Sequence, residues 1–343
     1  MAASKPVGYA VIGLGGFAQR AILPGFRHSK KAQLLALVSG DGSKAKRLAA
    51  KFGAAAAYTY DELPACFANP ELEAVYIATH NGGHAPFAIR AANAGKHVLC
   101  EKPMANSVEE CRRMIEACRA ADVRLMIGYR KYFEPASLEL KKLITSGKLG
   151  KPKYVHSAFG IFVRPRPERG RWHLDPKLSG GGSLPDVGVY CVNTIRWLLG
   201  KEPVEVSAHQ WATEPEIFSR VDENVAFRLN FPGGIVAQAT SSFNAAESSF
   251  LQVNGEKGWA CLHPAFQWDL ERCLFGEIGG RGFEKKFKVI DELALEIDAL
   301  ADSVRRHRDP EPNGVEGMRD VAVMEAIYQS AREGRTVAIA MPE

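Results

Sequence analysis

The feature that most constrains the fold is the regular alternation of short apolar runs and helical segments over the first 128 residues. The apolar runs have the length of buried strands, and they lie at about residues 7–12, 34–38, 74–78, 97–100 and 124–127. Helical segments separate them at about residues 17–27, 43–52, 86–94 and 108–120. Strands joined in this way predict a parallel sheet with right-handed crossovers. We therefore expect an α/β, doubly wound (Rossmann) dinucleotide-binding domain over residues 1–128.

After about residue 150 the pattern changes to the apolar–polar alternation of half-buried strands. The alternating runs lie at about residues 154–163, 204–211, 225–231, 235–242, 250–253, 259–263 and 283–289. Helices are predicted at about residues 184–199, 291–306 and 318–332. These elements predict an α+β domain over residues 129–343, with a large, open, mainly antiparallel sheet that serves substrate binding and oligomerisation. We expect helix 318–332 to pack back on the first domain.

Composition narrows the class of protein. The net charge of +5 is spread along the chain, and no basic stripe interleaved with aromatics indicates nucleic-acid binding. The seven cysteines include no CxxC pair, which is typical of a reducing compartment and predicts no metal site. We find no signal-peptide pattern and no spanning apolar run. The expected location is cytoplasmic, without a membrane partner; a periplasmic location stays open if a leader has been removed.

A glycine-rich turn follows the first predicted strand. In Gly13-Leu-Gly15-Gly16-Phe17-Ala18, the first glycine allows the tight turn and the second lets the backbone approach a pyrophosphate. The alanine permits close packing of the helix on the strand, and the helix N-terminus supplies N–H donors. The alternative is a plain structural turn. Its position directly after the first strand favours a dinucleotide site.

The end of the second strand bears on the choice of cofactor. NAD-binding domains usually place an acidic residue there for the ribose hydroxyls, whereas this chain has Ser39-Gly40, with Lys44 on the following helix. A 2′-phosphate would be bound by the hydroxyl, backbone N–H groups and the lysine, so we expect NADP. The alternative is that Asp41 binds the ribose of NAD and Lys44 is a solvated helix residue.

Two further segments lie where strands end. Thr79-His80-Asn81 and His84 follow the strand at 74–78; they contact ribose or nicotinamide in one interpretation and only their own loop in the other. Glu101-Lys102-Pro103 follows the strand at 97–100, at the edge where parallel sheets bind ligands. Lys102 is either a cation that acts on the substrate or an ordinary solvated lysine. We also expect a cis bond before Pro103.

In the second domain the run Gly180-Gly181-Gly182 enters a helix that carries Asp186 and Tyr190. Residues four apart lie on one helical face, so the acid and the phenol, with a lysine nearby, form a proton-transfer group. An ammonium group lowers the pKa of a phenol from about 10 toward neutral pH. The alternative, equally supported by the spacing, is that Asp186 caps the helix and Tyr190 is a core residue.

These motifs, in this order, resemble the family of glucose–fructose oxidoreductase, inositol dehydrogenase and related sugar dehydrogenases (Gfo/Idh/MocA). The resemblance covers nearly the whole chain. It is strongest to the glucose–fructose and aldose–aldose branch, through the segments 37–40, 100–104, 125–130, 180–184 and 196–200. The resemblance implies that Glu101, Lys102, Asp186 and Tyr190 converge on the nicotinamide, with Tyr129 and Arg130 close by.

The resemblance also implies an activity: oxidation of an aldose at C1 to a lactone, with tightly bound NADP that a second sugar reoxidises. Tyr190 would be the general base. Lys102 would bind the substrate oxygen or Tyr190 and lower the pKa of the phenol, and Asp186 would orient a sugar hydroxyl. The alternatives are a conventional NADP-dependent sugar or diol dehydrogenase and a non-enzymatic NADP sensor. We expect a homodimer or higher homo-oligomer through the open sheet.

The chain departs from the family pattern in two places. His80 stands where the family usually has proline, and Arg171-Trp172-His173 stands where it often has Trp-Arg, in the loop 164–182. Tyr190, where the family often has histidine, favours the glucose–fructose branch. The expected catalytic residues are Lys102, Asp186 and Tyr190, with Tyr129 added for substrate binding. The expected cofactor-binding residues are Gly13, Gly15, Gly16, Phe17, Ala18, Ser39, Gly40, Lys44, Thr79, His80, Asn81, His84, Glu101, Lys102, Arg130, Arg171 and Trp172.

Overall fold

The computed structural model describes residues 5–163 and 171–342, and it confirms the predicted fold class. The chain divides into two compact units. The first contains Met1–Arg130 and Asp291–Met318, and the second contains Lys131–Ile290 and Arg319–Glu343. The sequence assigned everything after residue 128 to the second domain. The return of the chain to the first unit at Asp291 therefore differs from that expectation.

The first unit is built on a parallel sheet. Its strands are β1 (Val7–Ile12), β2 (Ala32–Val38), β3 (Ala56–Tyr58), β4 (Leu72–Ile77), β5 (His97–Glu101) and β6 (Leu125–Gly128). Their order across the six-stranded sheet is β3-β2-β1-β4-β5-β6. The order reverses between β1 and β4, and open α/β sheets bind ligands at the carboxyl ends of the strands beside such a point.

Helices connect these strands. A π-helical turn, Ala18–Ile22, leads into α1 (Leu23–His28), followed by α2 (Gly42–Phe52), α3 (Leu63–Phe67), α4 (His84–Asn93) and α5 (Val108–Ala120). Ser107 caps α5, because its Oγ accepts from the backbone N–H of Glu110 at 3.2 Å. The short elements β3 and α3 were not predicted, since neither is long enough to show a period.

Helix α9 (Glu292–Arg305) completes the first unit. Its buried stripe includes Leu293, Ile297 and Leu300, and it packs against α1, β2 and β5. The hydroxyl of the buried Tyr9 donates to the backbone oxygen of Ile297 at 3.1 Å. The sequence pattern showed that this helix is amphipathic but not which sheet its apolar face covers.

The second unit is built on a mixed sheet. Its strands are β7 (Pro152–Phe162), β8 (Glu205–Trp211), β9 (Asn224–Phe231), β10 (Ile235–Ser242), β11 (Asn244–Gly255), β12 (Gly258–His263), β13 (Arg272–Ile278), β14 (Arg281–Phe287) and β15 (Val337–Ala338). Their order across the nine-stranded sheet is β14-β13-β12-β11-β7-β10-β9-β8-β15. β7 and β10 run parallel, and the other neighbouring pairs are antiparallel. The expectation of a mainly antiparallel sheet is confirmed.

The helices of the second unit are α6 (Pro135–Thr145), α7 (Pro176–Ser179) and α8 (Val189–Leu199), the last preceded by a π-helical turn, Leu184–Gly188. Every residue of α8 from Val189 to Leu198 is buried, and the helix packs on β7 and β10. The final helix, α10 (Gly314–Glu333), starts in the first unit, and its residues from Arg319 onward belong to the second. The packing of that helix on the first domain stays a prediction.

Candidate functional site

The parallel sheet of the first unit brings the predicted segments to one edge. β1 ends before Gly13, β2 before Ser39, β5 at Glu101 and β6 before Tyr129, and Thr79 lies two residues beyond the end of β4. Because the strands are parallel, all these ends lie at the carboxyl edge of the sheet.

The glycine turn after β1 has the shape of a phosphate cradle. Gly13 has φ +98°, and a Cβ there would lie 2.6 Å from the backbone of Ala78, so only glycine fits. Gly15 and Gly16 are exposed, and among the described residues nothing lies within 4 Å of a Cβ built on either. The helix that follows has no side-chain cap at Phe17. This open turn beside uncapped N–H groups fits a dinucleotide pyrophosphate.

The segment after β2 carries no free strand-end acid. Asp41 Oδ1 accepts from the backbone N–H of Lys44 at 2.9 Å and so caps α2. Ser39 is buried, and its Oγ accepts from the backbone N–H of Asp41 at 3.2 Å. Lys44 is half-buried and Gly40 is exposed beside the ring of Tyr60. The capping role of Asp41 favours the interpretation that this segment takes a 2′-phosphate. No sequence pattern indicated Tyr60 as a neighbour of this segment.

The loop after β4 is tied to the segment after β5 through His84. Its ring is buried, with Nδ1 2.8 Å from the backbone oxygen of Pro103 and Nε2 3.3 Å from that of Thr79. Burial lowers the pKa of His84 to about 4, so the ring is neutral and donates one hydrogen bond. This contact supports the loop-bonding interpretation for His84. Asn81 is buried on the same turn, and Thr79 and His80 are half-buried.

Lys102 stands beside a buried group of acids. The Lys102–Pro103 bond is cis, as expected. The lysine is half-buried, and its backbone N–H donates to Glu101 Oε2 at 3.2 Å. Glu101 Oε1 lies 2.8 Å from the hydroxyl of Tyr76, which lies 2.8 Å from Glu296 Oε1. Burial raises the pKa of Glu101, although the charge of Lys102 opposes this rise.

The structure places Arg130 in a buried ion pair. Its Nη1 lies 2.7 Å from Glu292 Oε2, and both side chains are buried. Tyr129, beside it, is also buried. Sequence reasoning missed Tyr76, Glu292 and Glu296. The available signal was a pair of acids four residues apart in a helix whose other buried positions, apart from Ser303, are apolar.

In the second unit, Asp186 and Tyr190 have different surroundings. Asp186 is partly exposed in the π-helical turn, with its Oδ2 3.9 Å from Nε2 of His173. His173 stacks on Trp172 with ring centroids 3.7 Å apart. Tyr190 is buried in α8, where its ring forms a three-ring cluster with Phe159 and Phe266. The side chain of Arg171 and loop residues 164–170 lie outside the described residues.

The glycine run before Asp186 is anchored by Asp222, which the sequence did not single out. Asp222 Oδ1 accepts from the N–H of Gly182 at 2.6 Å and from the hydroxyl of Tyr328 at 2.5 Å. Its Oδ2 accepts from Leu184 N–H at 2.8 Å and Ser183 Oγ at 2.9 Å. One carboxylate thus fixes the entry to the helix that carries Asp186 and Tyr190.

Neither a metal site nor a membrane-spanning helix is found in the described part of the chain. Within residues 5–163 and 171–342, no group of three His, Cys, Asp or Glu side chains has a geometry that could hold a metal ion. No helix in the described part of the chain is both long and apolar enough to cross a bilayer.

Comparison with known proteins supplies the family. Residues 7–129 match the model described as the GFO_IDH_MocA oxidoreductase family with an NAD-binding Rossmann fold, and residues 137–261 match the GFO/IDH/MocA C-terminal domain. The chain belongs to the GFO/IDH/MocA family. This assignment confirms the resemblance drawn from the motifs.

Members of the GFO/IDH/MocA family align with the chain over almost its whole length. D-xylose 1-dehydrogenase [NADP(+)] of Haloarcula marismortui is 35% identical and covers 98% of this chain and 94% of its own. D-xylose 1-dehydrogenase (NADP(+)) 2 of Haloferax volcanii is 31% identical over 96% of this chain and 98% of its own. The crystal structure of aldose-aldose oxidoreductase from Caulobacter crescentus, complexed with glycerol, is 37% identical, covers 98% of this chain and 100% of its own, and superposes with a TM-score of 0.93.

Proposed function

We propose that the chain is an NADP-dependent sugar oxidoreductase that oxidises an aldose at C1 to a lactone. The observation that carries the proposal is the segment after β2, where Asp41 caps α2 and Ser39 and Lys44 remain for a 2′-phosphate. Whole-length similarity to sugar-oxidising relatives named for NADP supports it.

The first unit would hold the cofactor. Backbone N–H groups of Gly15–Ala18 would bind the pyrophosphate, and Ser39 and Lys44 the 2′-phosphate. The ribose and nicotinamide would lie near the ends of β4 and β5, where Asn81 and Lys102 are. When bound, NADP supplies the hydride acceptor.

The side chains of the protein would carry out the proton transfer. In the proposal Tyr190 accepts the proton of the C1 hydroxyl, and Lys102 donates a hydrogen bond to a sugar oxygen. Asp186 accepts from a second sugar hydroxyl, and the neighbouring imidazole of His173 helps to orient that carboxylate. Each of the three roles fits the chemistry of its side chain, since a phenol exchanges protons, an ammonium only donates and a carboxylate accepts.

We further propose that the cofactor stays bound while a second sugar reoxidises it. The similarity to an aldose-aldose oxidoreductase supports this cycle. A conventional dehydrogenase that releases its cofactor is the second candidate, because two relatives are named as D-xylose 1-dehydrogenases.

The test uses the purified full-length protein with no added cofactor. We expect aldose to produce the absorbance band of reduced nicotinamide and a second sugar to remove it. A band that appears only when NADP is supplied would select the dehydrogenase. If neither NADP nor NAD is reduced by any aldose tested, the proposed function is wrong.

A homo-oligomer formed through the open face of the second sheet is also proposed. That face carries a shallow trough of about 630 Å³ lined by side chains that include His156, Arg228, Gln238 and Phe250. Phe250 is 37% exposed. Tyr154 and Trp211, which lie against His156 and His209 of the same trough, are exposed as well. Exposed apolar patches on a broad sheet face mark surfaces that a partner covers.

A further inference from the structure

Three side chains form a linear hydrogen-bonded chain under the carboxyl edge of the first sheet. The hydroxyl of Tyr76 lies 2.8 Å from Glu101 Oε1 and 2.8 Å from Glu296 Oε1. Tyr76 and Glu296 are fully buried and Glu101 is 7% exposed. These hydrogen-bonded side chains join β4, β5 and α9, and Glu101 is the residue immediately before Lys102.

The number of protons in this chain follows from the donors present. An ionised carboxylate only accepts hydrogen bonds, and a phenol has one proton to donate. The single proton of Tyr76 can satisfy one of its two carboxyl neighbours. The other oxygen, also 2.8 Å away, would face the phenol oxygen with no proton between them. A second proton, carried by one of the two carboxyls, removes this conflict.

The surroundings indicate which carboxyl carries it. Glu101 Oε2 accepts from the backbone N–H of Lys102, whose ammonium charge also favours an ionised Glu101. Glu296 Oε2 is buried and has no hydrogen-bond partner among the described residues. A protonated carboxyl tolerates such a position, whereas an ionised one would leave a buried charge uncompensated.

Charged groups on the neighbouring elements agree with this placement. Arg130, next to β6, is ion-paired with Glu292 on α9. On β1, the phenol of Tyr9 donates to the backbone oxygen of Ile297 and brings no positive charge to Glu296. Burial first, and then the charge of Glu101, raise the pKa of Glu296 well above its ordinary value, against smaller opposing effects of the Tyr76 hydrogen bond and of Arg130.

We propose that Glu296 is a positioning residue, which holds the second proton of the Glu296–Tyr76–Glu101 chain and thereby keeps Glu101 a carboxylate beside Lys102. Glu296 donates to the Tyr76 oxygen and Tyr76 donates to Glu101. The negative charge of Glu101 in turn helps to hold the Lys102 ammonium, the group that the proposed function places on the sugar oxygen. This inference about Lys102 therefore rests on that function, whereas the proton count does not.

The first experiment is an infrared spectrum of the protein at neutral pH with no sugar or cofactor added. We expect a carbonyl band of a protonated carboxyl that shifts in D₂O and is absent from Glu296→Gln. Glu292→Gln is the matched control, because it removes another buried carboxyl from the same helix, one that is ion-paired and has no such band. Tyr76→Phe should keep the band at a shifted frequency, since the acid loses its phenol acceptor. A band that survives in Glu296→Gln, or is missing from the wild type, would overturn the proposal.

The second experiment measures turnover of the holoenzyme against pH. Glu296→Gln keeps an N–H donor for Tyr76, so kcat should stay within about threefold of the wild type. Tyr76→Phe removes the donor to Glu101, and the acid limb of the profile should move up by about one pH unit. A loss of more than about tenfold in Glu296→Gln at unchanged thermal stability would contradict a proton-holding role. If no sugar is oxidised at all, the proposed function fails while the infrared result stands.

Discussion

A buried carboxyl that carries a proton makes folding stability depend on pH in the opposite sense from an ion-paired one. Burial and the Glu101 charge raise the pKa of Glu296 in the folded chain, while the unfolded value is about 4.3. Its stabilisation is therefore complete below about pH 4 and declines as the pH rises through the raised pKa.

This direction of the pH dependence leads to a prediction for the melting temperature. Between about pH 5 and pH 9 the melting temperature of the wild type should fall relative to that of Glu296→Gln, because glutamine stays neutral. Glu73→Gln should show the opposite sign and at lower pH: hydrogen bonding to Arg305 lowers the pKa of Glu73, so its stabilisation is complete above about pH 5 and is lost as the pH falls below about 4. Parallel curves for wild type and Glu296→Gln would contradict a raised pKa.

The proposed role of Tyr190 as the general base can be tested with Tyr190→Phe. Removing its hydroxyl should lower kcat by about 10²- to 10⁴-fold, the usual contribution of a general base. Affinity for NADP, measured by fluorescence titration, should not change. Tyr132→Phe is the control: that tyrosine is also buried in the second unit and stacks on Trp197. Equal turnover in the two variants would remove Tyr190 from the proposed chemistry.

Lys44 tests the cofactor preference. Lys44→Ala should raise the Kd for NADP by about tenfold or more, because a charge-assisted contact to the 2′-phosphate is lost, and should leave the Kd for NAD nearly unchanged. Lys46→Ala, on an exposed position of the same helix, serves as control. Equal weakening for both cofactors would mean that Lys44 does not recognise the 2′-phosphate.

At the scale of elements, the entry to α8 leaves no room for an added side chain. A Cβ on Gly182 would lie 1.9 Å from the backbone oxygen of Asp222. Because this contact is with backbone, Gly182→Ala must displace the turn, at a cost of about 1–3 kcal/mol or more. Gly282→Ala, whose Cβ would come no closer than 3.9 Å to any described atom, should melt close to the wild type. An unchanged melting temperature of Gly182→Ala by calorimetry would show that the backbone at Asp222 shifts to accommodate the methyl group without loss of stability.

Most helices and strands were predictable because their apolar periodicity depends only on residues close together in the sequence. Strand β1 and helix α5 were predicted with their observed bounds, since one is apolar throughout and the other has a serine cap. Strand β13 was missed because buried Arg272 and Gly276 interrupt its alternation. Arg272 is buried within 3.9 Å of Glu134, a partner far away in the sequence.

The distinction between local patterns and contacts remote in sequence also applies to the candidate site. Residues at strand ends were placed at one edge because parallel topology brings all carboxyl ends together. Glu296 and Asp222 were not predicted, since each acts on a partner that is remote in sequence: Glu296 lies 220 residues from Tyr76, and Asp222 lies 40 from Gly182. No local pattern reports such contacts, although a buried acid within an apolar helical stripe is a warning that one exists.

At the scale of the whole molecule, the proposed oligomer can be tested through Phe250. Phe250→Asp places a charge on the open sheet face and should lower the sedimentation coefficient toward that of a single chain. Leu138→Asp alters an apolar residue of similar exposure on α6 and should leave assembly intact. A wild-type protein that already sediments as a single chain would exclude assembly through this face.

The interrupted course of the first unit has a consequence for synthesis. On the ribosome, the parallel sheet emerges long before α9, which carries Glu296 and packs on β2 and β5. Until Arg305 has left the exit tunnel, the face that this helix covers stays exposed to solvent and chaperones, and the Tyr76 hydroxyl lacks one of its two partners. The nucleotide-binding half, although begun first, is finished only after eight of the nine strands of the other half's sheet have been made.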